Sequence, residues 1–180
     1  MNLSMKLRLA PLFLLAFVAT SCRSRTDRSE GSVILSVSMF DQLPLSVSVA
    51  NGPTQLGTIT LRSVAKDPTG TTSSLQDIEV RSYEVRFARL DTGTRLPAPL
   101  VEAQFGTVPV NSTAAFTNLA FLRSAQLNSP PLSDLANFGS DQQTGSRVIP
   151  LRVTLRFFGR TLAGDDIVSA PASFDIEVVP

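Results

Sequence analysis

Apolar and polar residues alternate with a period of two along most of the chain from Ser32 to Pro180. That spacing sends successive side chains to opposite faces of a strand. In "SVILSVSMF", Val33, Leu35, Val37 and Met39 share one parity, with Ile34, Ser36 and Ser38 on the other. "LSVSVA" repeats the pattern with Leu45, Val47 and Val49, and "QLGTITLRSV" continues it less cleanly. "SYEVRFARL" places Tyr83, Val85 and Phe87 inward with Glu84 and Arg86 outward. "LRVTLRFF" turns Leu151, Val153, Leu155 and Phe157 inward and Arg152, Thr154 and Arg156 outward. "SFDIEVV" sets Phe174, Ile176 and Val178 against Ser173, Asp175 and Glu177. "AAFTNLAFL", Ala114 to Leu122, is apolar on both parities, which predicts a central strand covered on both faces.

Between these runs lie "NGPTQ", "KDPTGTTSS", "LDTGTRLPAP", "NSPPLSD", "FGSDQQTGS" and "GRTLAGDD". Their Gly, Pro, Asn and Asp residues set the backbone angles that strand reversals need. Only "SPPLSDLANFG" reads as helical, with Leu132, Leu135 and Phe138 on one side and Gly139 ending it. About seven to eight short strands with one short helical turn predict an all-β fold, an antiparallel sandwich. A barrel is the alternative left open. The order of strands, crossover and two final strands resembles an immunoglobulin-like or fibronectin-III-like domain, and the single-sandwich lipoproteins of bacteria. Two departures stand out. The Cys…Trp…Cys set of immunoglobulin domains is missing, and Tyr83 falls too early for a tyrosine corner.

The first residues have a different character. "MNLSMKLR" carries two positive charges, Leu9 to Ala19 is an apolar run of eleven residues, and Thr20 to Cys22 is small and polar. This is the layout of a secretory leader. As a helix the run spans roughly 17 Å, too short for a hydrocarbon core of about 30 Å. Ala19-Thr20-Ser21-Cys22 resembles the lipobox of bacterial lipoproteins. The resemblance implies that residues 1–21 are removed and that Cys22, the only cysteine of the chain, carries the lipid, palmitate or a similar acyl chain. A lone structural thiol in an exported protein has no disulfide partner, and two acyl chains anchor a domain stably. The other reading is an ordinary leader with an incidental cysteine. Residues 22–32 then form the lipidated cysteine and a tether without apolar side chains, and residues 33–180 the sandwich. Arg23, where an aspartate would signal inner-membrane retention, favours the outer membrane of a cell envelope, on its periplasmic or surface side.

Composition excludes several chemistries. There is no histidine and no tryptophan, so neither an imidazole base nor a Ser-His-Asp triad can form. Formal net charge is +1, and removal of Lys6 and Arg8 with the leader takes it to about −1, which gives no support to nucleic-acid binding. Ser63-Val64-Ala65-Lys66 matches S-x-x-K by chance, since its companion motifs are missing and it falls at a strand end. Asn111-Ser112-Thr113 fits a glycosylation sequon, which carries little meaning in a bacterial lipoprotein. Asp165 and Asp166 would share a calcium site with Asp91 or Asp141 only if their loops met at one end of the sandwich. No cofactor and no metal is expected.

Arg86, Arg152 and Arg156 project outward with Glu84, Asp175 and Glu177, and are expected to form a row bordered by acids. On a solvated face this is cross-strand ion pairing. As a functional feature it is a possible docking face, because arginine is favoured at interfaces. The edge strand from Ser32 to Met39 is a further place for a partner strand. The sequence therefore points to a non-catalytic envelope lipoprotein, held to a membrane by lipid and acting in adhesion, scaffolding or assembly with an envelope protein partner. The alternative is a small-ligand or polysaccharide binder using the loop end of the sandwich.

Overall fold

The structure, a computed structural model, describes residues 31–180. The leader, Cys22 and all but the last two residues of the tether lie outside the described residues. Nine strands form two sheets: β1 (Val33–Asp41), β2 (Ser46–Ser48), β3 (Thr54–Ala65), β4 (Ile78–Arg89), β5 (Leu100–Val108), β6 (Thr113–Leu122), β7 (Ile149–Thr161), β8 (Asp166–Val168) and β9 (Ala172–Val179). A three-stranded sheet has the order β1-β3-β6. A six-stranded sheet has the order β2-β9-β7-β4-β5, with β8 alongside the far half of β7. All pairings are antiparallel except β2 with β9, which run parallel. The described strands thus make a sandwich and not a closed barrel.

The strands whose alternation is cleanest behave as the pattern requires. Tyr83, Val85 and Phe87 of β4, Leu151, Val153, Leu155 and Phe157 of β7, and Phe174, Ile176 and Val178 of β9 are all buried. They face Leu35, Ile59, Leu61 and Phe116 of the other sheet in one core. Tyr83 and Phe157 pack with ring centroids 5.9 Å apart, and Phe116 lies 6.3 Å from Phe157.

The Tyr83 hydroxyl crosses the core and donates to the carbonyl of Ala120 on β6, 2.7 Å away. Burial, with a smaller push from Glu102, drives this phenol up to about 12. A proton held more tightly in the folded state gives stability that is complete below the ordinary tyrosine value of about 10 and is lost as pH rises toward 12. Tyr83→Phe is expected to leave the Ala120 carbonyl unpaired at a cost of about 1–3 kcal/mol. Thermal unfolding at neutral pH should show it as a loss of about 2–12 °C. The variant should also lack the alkaline decline, which a melting series from pH 8 to pH 12 would detect.

Four details depart from the alternation, each for a backbone reason. In β1 a register shift between Val37 and Met39 turns the strand over, so Met39 stands in solvent and Phe40 packs on the core. Leu45 is exposed ahead of the short β2, and Val49 is buried from a 3-10 turn, Val49–Asn51. The strand β6 is at an edge of its sheet, not at its centre. Its second half is nevertheless covered on both faces, since Leu119, Ala120, Phe121 and Leu122 are all buried, and Asn118, at φ 58°, bends the strand just before that stretch. The helical segment divides into α1 (Ser124–Leu127) and α2 (Leu132–Phe138), with Gly139 as the left-handed cap at φ 70°. Leu132 and Leu135 are fully buried, but Phe138 faces solvent at the last position of α2.

Candidate docking face

The outer face of the six-stranded sheet can be read rung by rung from its register. One rung holds Ala88, Arg152 and Asp175; the next Arg86, Thr154 and Ser173; the next Val101, Glu84 and Arg156; the last Ala103, Ser82, Phe158 and Val168. Strand pleating places all of these on the side away from the core. Arg86, Arg152 and Arg156 therefore do share one face, but on three successive rungs and two strands, not in a row. They alternate with acids and hydroxyls in a checkerboard.

Each arginine has a different electrostatic state. Arg152 makes a two-pronged contact with Asp175, Nε to Oδ1 at 2.8 Å and Nη2 to Oδ2 at 3.0 Å. The hydrogen bonds hold the Asp175 carboxyl below its ordinary value and the guanidinium above its own. Arg86 pairs with Glu84 of its own strand at 2.8 Å, with 63% of its side chain exposed. Arg156, opposite Glu84 in register, makes no ion pair among the described residues. A shallow groove runs between Arg86 and Arg156 over Ala88 and Thr154. On its β9 side Thr154 joins hydroxyls with Ser173 at 2.8 Å. Glu177 stands apart, opposite Pro150, at the end of the sheet. Such a face offers guanidinium donors, and its free charge is positive, which suits a carboxylate-bearing surface.

The charged cluster missing from the sequence-based expectations is buried. Arg89, its side chain 2% exposed, bonds Asp91 through Nε and Nη2 at 2.6 and 2.5 Å and the fully buried Asp141 through Nη2 at 2.9 Å. Asp141 also accepts from the Thr144 hydroxyl at 2.7 Å. Burial alone would raise the Asp141 carboxyl, but bonds from Arg89, Thr144 and the Gln143 backbone outweigh it and leave it below its ordinary value. Asp91 is held low chiefly by its bonds from Arg89. The cluster ties the loop after β4 to the loop before β7. The signal for it was present: the parity that turns Tyr83, Val85 and Phe87 inward turns Arg89 inward as well.

The conditional calcium site is not assembled. Asp166 pairs with Arg160 near the far end of β7, whereas Arg89 lies opposite Leu151 near its start. Nine residues of strand separate the two ends by about 30 Å. Among the described residues no group of three or more carboxylates, cysteines or histidines converges. Ser63 is fully buried on β3 while Lys66 is exposed beyond the strand end, so the S-x-x-K string forms no nucleophile–base pair facing one cavity. Asn111, at φ 56° in the β5–β6 turn, uses its side chain to accept from the Ala65 backbone N–H at 2.9 Å.

Sequence patterning also misses β5, which lies on the same face. Its outward residues Val101, Ala103 and Phe105 are apolar and its half-buried residues include Glu102 and Gln104. The polarity is inverted relative to every other long strand. Among the described residues no helix is long and apolar enough to cross a membrane. No family model, no curated protein and no solved structure matches the chain.

Proposed function

We propose that the chain is a non-catalytic, lipid-anchored module of the bacterial cell envelope that docks an acidic surface of an envelope protein on the outer face of its six-stranded sheet. The observation that carries this reading is Arg156, an exposed guanidinium without an ion pair beside the half-satisfied Arg86. Free charge on an otherwise neutralised face steers and selects a partner more than it stabilises the fold. Anchoring comes from Cys22 and its leader. The chain enters the sandwich at Gly31, which sits so close to Ile167 that a Cβ there would lie 2.3 Å from that side chain. Tethering from that end leaves the sheet face clear on the side.

Two experiments divide the proposal. Cys22→Ser should shift the protein from the membrane fraction and let uncut precursor accumulate; a variant that stays bound and fully processed refutes lipidation. In-cell crosslinking should capture one dominant envelope protein with the wild type. Arg152→Glu combined with Arg156→Glu should abolish that capture with little change in melting temperature, and unchanged capture by the double variant refutes the docking face.

A further inference from the structure

Among the described residues five strands lie at sheet edges, and four of them are blunted against further pairing, β8 by having three residues. β1 swaps its inward and outward faces at Met39, and its Leu35 carbonyl already accepts the Ala170 N–H at 3.1 Å. β2 has three residues. β6 is bent at Asn118. β5 differs: nine residues with no lysine and no proline, paired only with β4, and therefore with a row of backbone donors and acceptors on its other edge. Natural edges are normally protected by such charges, prolines or shortness. A register shift against β4 sets Gln104 and Phe105 opposite Arg81, yet exposure alternates without a break from Leu100 to Thr107. Phe105 is 75% exposed and Val101 65%.

We infer that β5 is the contact strand of a homodimer, pairing antiparallel with β5 of a second copy about a two-fold axis through Ala103. Directly opposed residues in an antiparallel pair share a face, so a two-fold pairing must centre on a residue. Centring on Glu102 sets that carboxylate against its own copy, which is repulsive. Centring on Gln104 puts Val101 opposite Thr107 and Phe105 opposite Ala103. Centring on Ala103 puts each Val101 opposite the partner's Phe105, an aromatic–β-branched pair of a favoured kind, and each Glu102 opposite the partner's Gln104. Only this register matches both large apolar side chains and opposes no like charges. It also explains the inverted polarity: Val101 and Phe105 lack large apolar neighbours on β4, where Glu84 and Ser82 stand opposite Val101 and Ala103, and they find them across the dimer. The two six-stranded sheets become one continuous sheet, with both arginine faces on the same side. The inference rests on β5 alone and does not depend on lipid anchoring or on an envelope partner.

Oxidative crosslinking tests it on the full-length chain in its membranes, with wild type oxidised in parallel to set the contribution of Cys22. Ala103→Cys places the two thiols directly opposite each other and should give a disulfide-linked dimer several-fold above the wild-type level. Thr107→Cys, on the same outward face, places its thiols about 27 Å apart across the pair and should give none. An A103C chain that links no more than wild type, or a T107C chain that links equally well, overturns the register. Sedimentation supplies an independent reading: the wild-type chain in mild detergent should run as a dimer and Phe105→Lys as a monomer. A wild-type chain that is monomeric at high concentration overturns the dimer itself.

Discussion

Replacing Arg89 with methionine is expected to destabilise the domain by about 3–5 kcal/mol, because it leaves the buried Asp141 carboxylate without its counter-charge. For a domain of this size that corresponds to a fall in melting temperature of roughly 6–20 °C. The cost comes from stranding a charge, not from losing one good contact, and that distinction can be tested. Arg89→Met combined with Asp141→Leu removes both charges, so the double variant should be more stable than Arg89→Met alone. Arg89→Lys keeps the charge but cannot reach Asp91 and Asp141 with one planar fork, and should fall between. The pH dependence follows with a definite sign. Both carboxyls are held below their ordinary value in the folded protein. Their contribution is therefore fully present above about pH 3.9 and is lost as pH falls through the lowered folded values. Acid unfolding followed by circular dichroism should show a steep limb in wild type and a shallower one in Arg89→Met. Equal acid limbs would mean the cluster carries no linked protons.

Phe157→Ala is the second large effect. The ring is fully buried on the long central strand β7, between Tyr83 and Phe116, and so joins the two sheets at their middle. Its removal deletes an aromatic side chain that the neighbouring strands, fixed by their ladders, cannot collapse to replace. A loss of about 3–5 kcal/mol is expected, which is much of the roughly 5–15 kcal/mol that an ordinary domain possesses. The adjacent Phe158→Ala provides the contrast, since Phe158 points to the outer face and is only half-buried. It should cost less than about 1 kcal/mol. Denaturant midpoints for the two variants would decide it, and similar midpoints would refute the parity assigned to β7.

Legibility in the sequence followed how faithfully each strand obeys a single parity. β4, β7 and β9 alternate without interruption through their central residues, so their inward sets and the arginine face could be read directly. β5 escaped because its apolar residues face out and its polar residues face in; a pattern filter built on burial rejects such a strand in principle. β1 was read correctly at Val33 and Leu35 and wrongly only from Met39, because a one-residue shift reverses the faces and leaves no mark in composition, and the edge position of β6 has no local signature in its sequence. The buried ion cluster was half legible. Arg89 occupies an inward position, but its partner Asp141 sits 52 residues away in a loop, and no local pattern connects them.

The parallel pairing of β2 with β9 has a mechanical consequence. Ser46 to Ser48 lie alongside Glu177 to Val179, with the entry of the chain at Gly31 toward one end of the sandwich and Pro180 at the other. A force that pulls the two ends of the described residues apart slides these strands lengthwise past each other. Their hydrogen bonds then share the load and must yield together, whereas an antiparallel hairpin pulled from its open end gives way one rung at a time. A tethered domain loaded through its far end would thus meet the pull first with its stiffest arrangement of bonds.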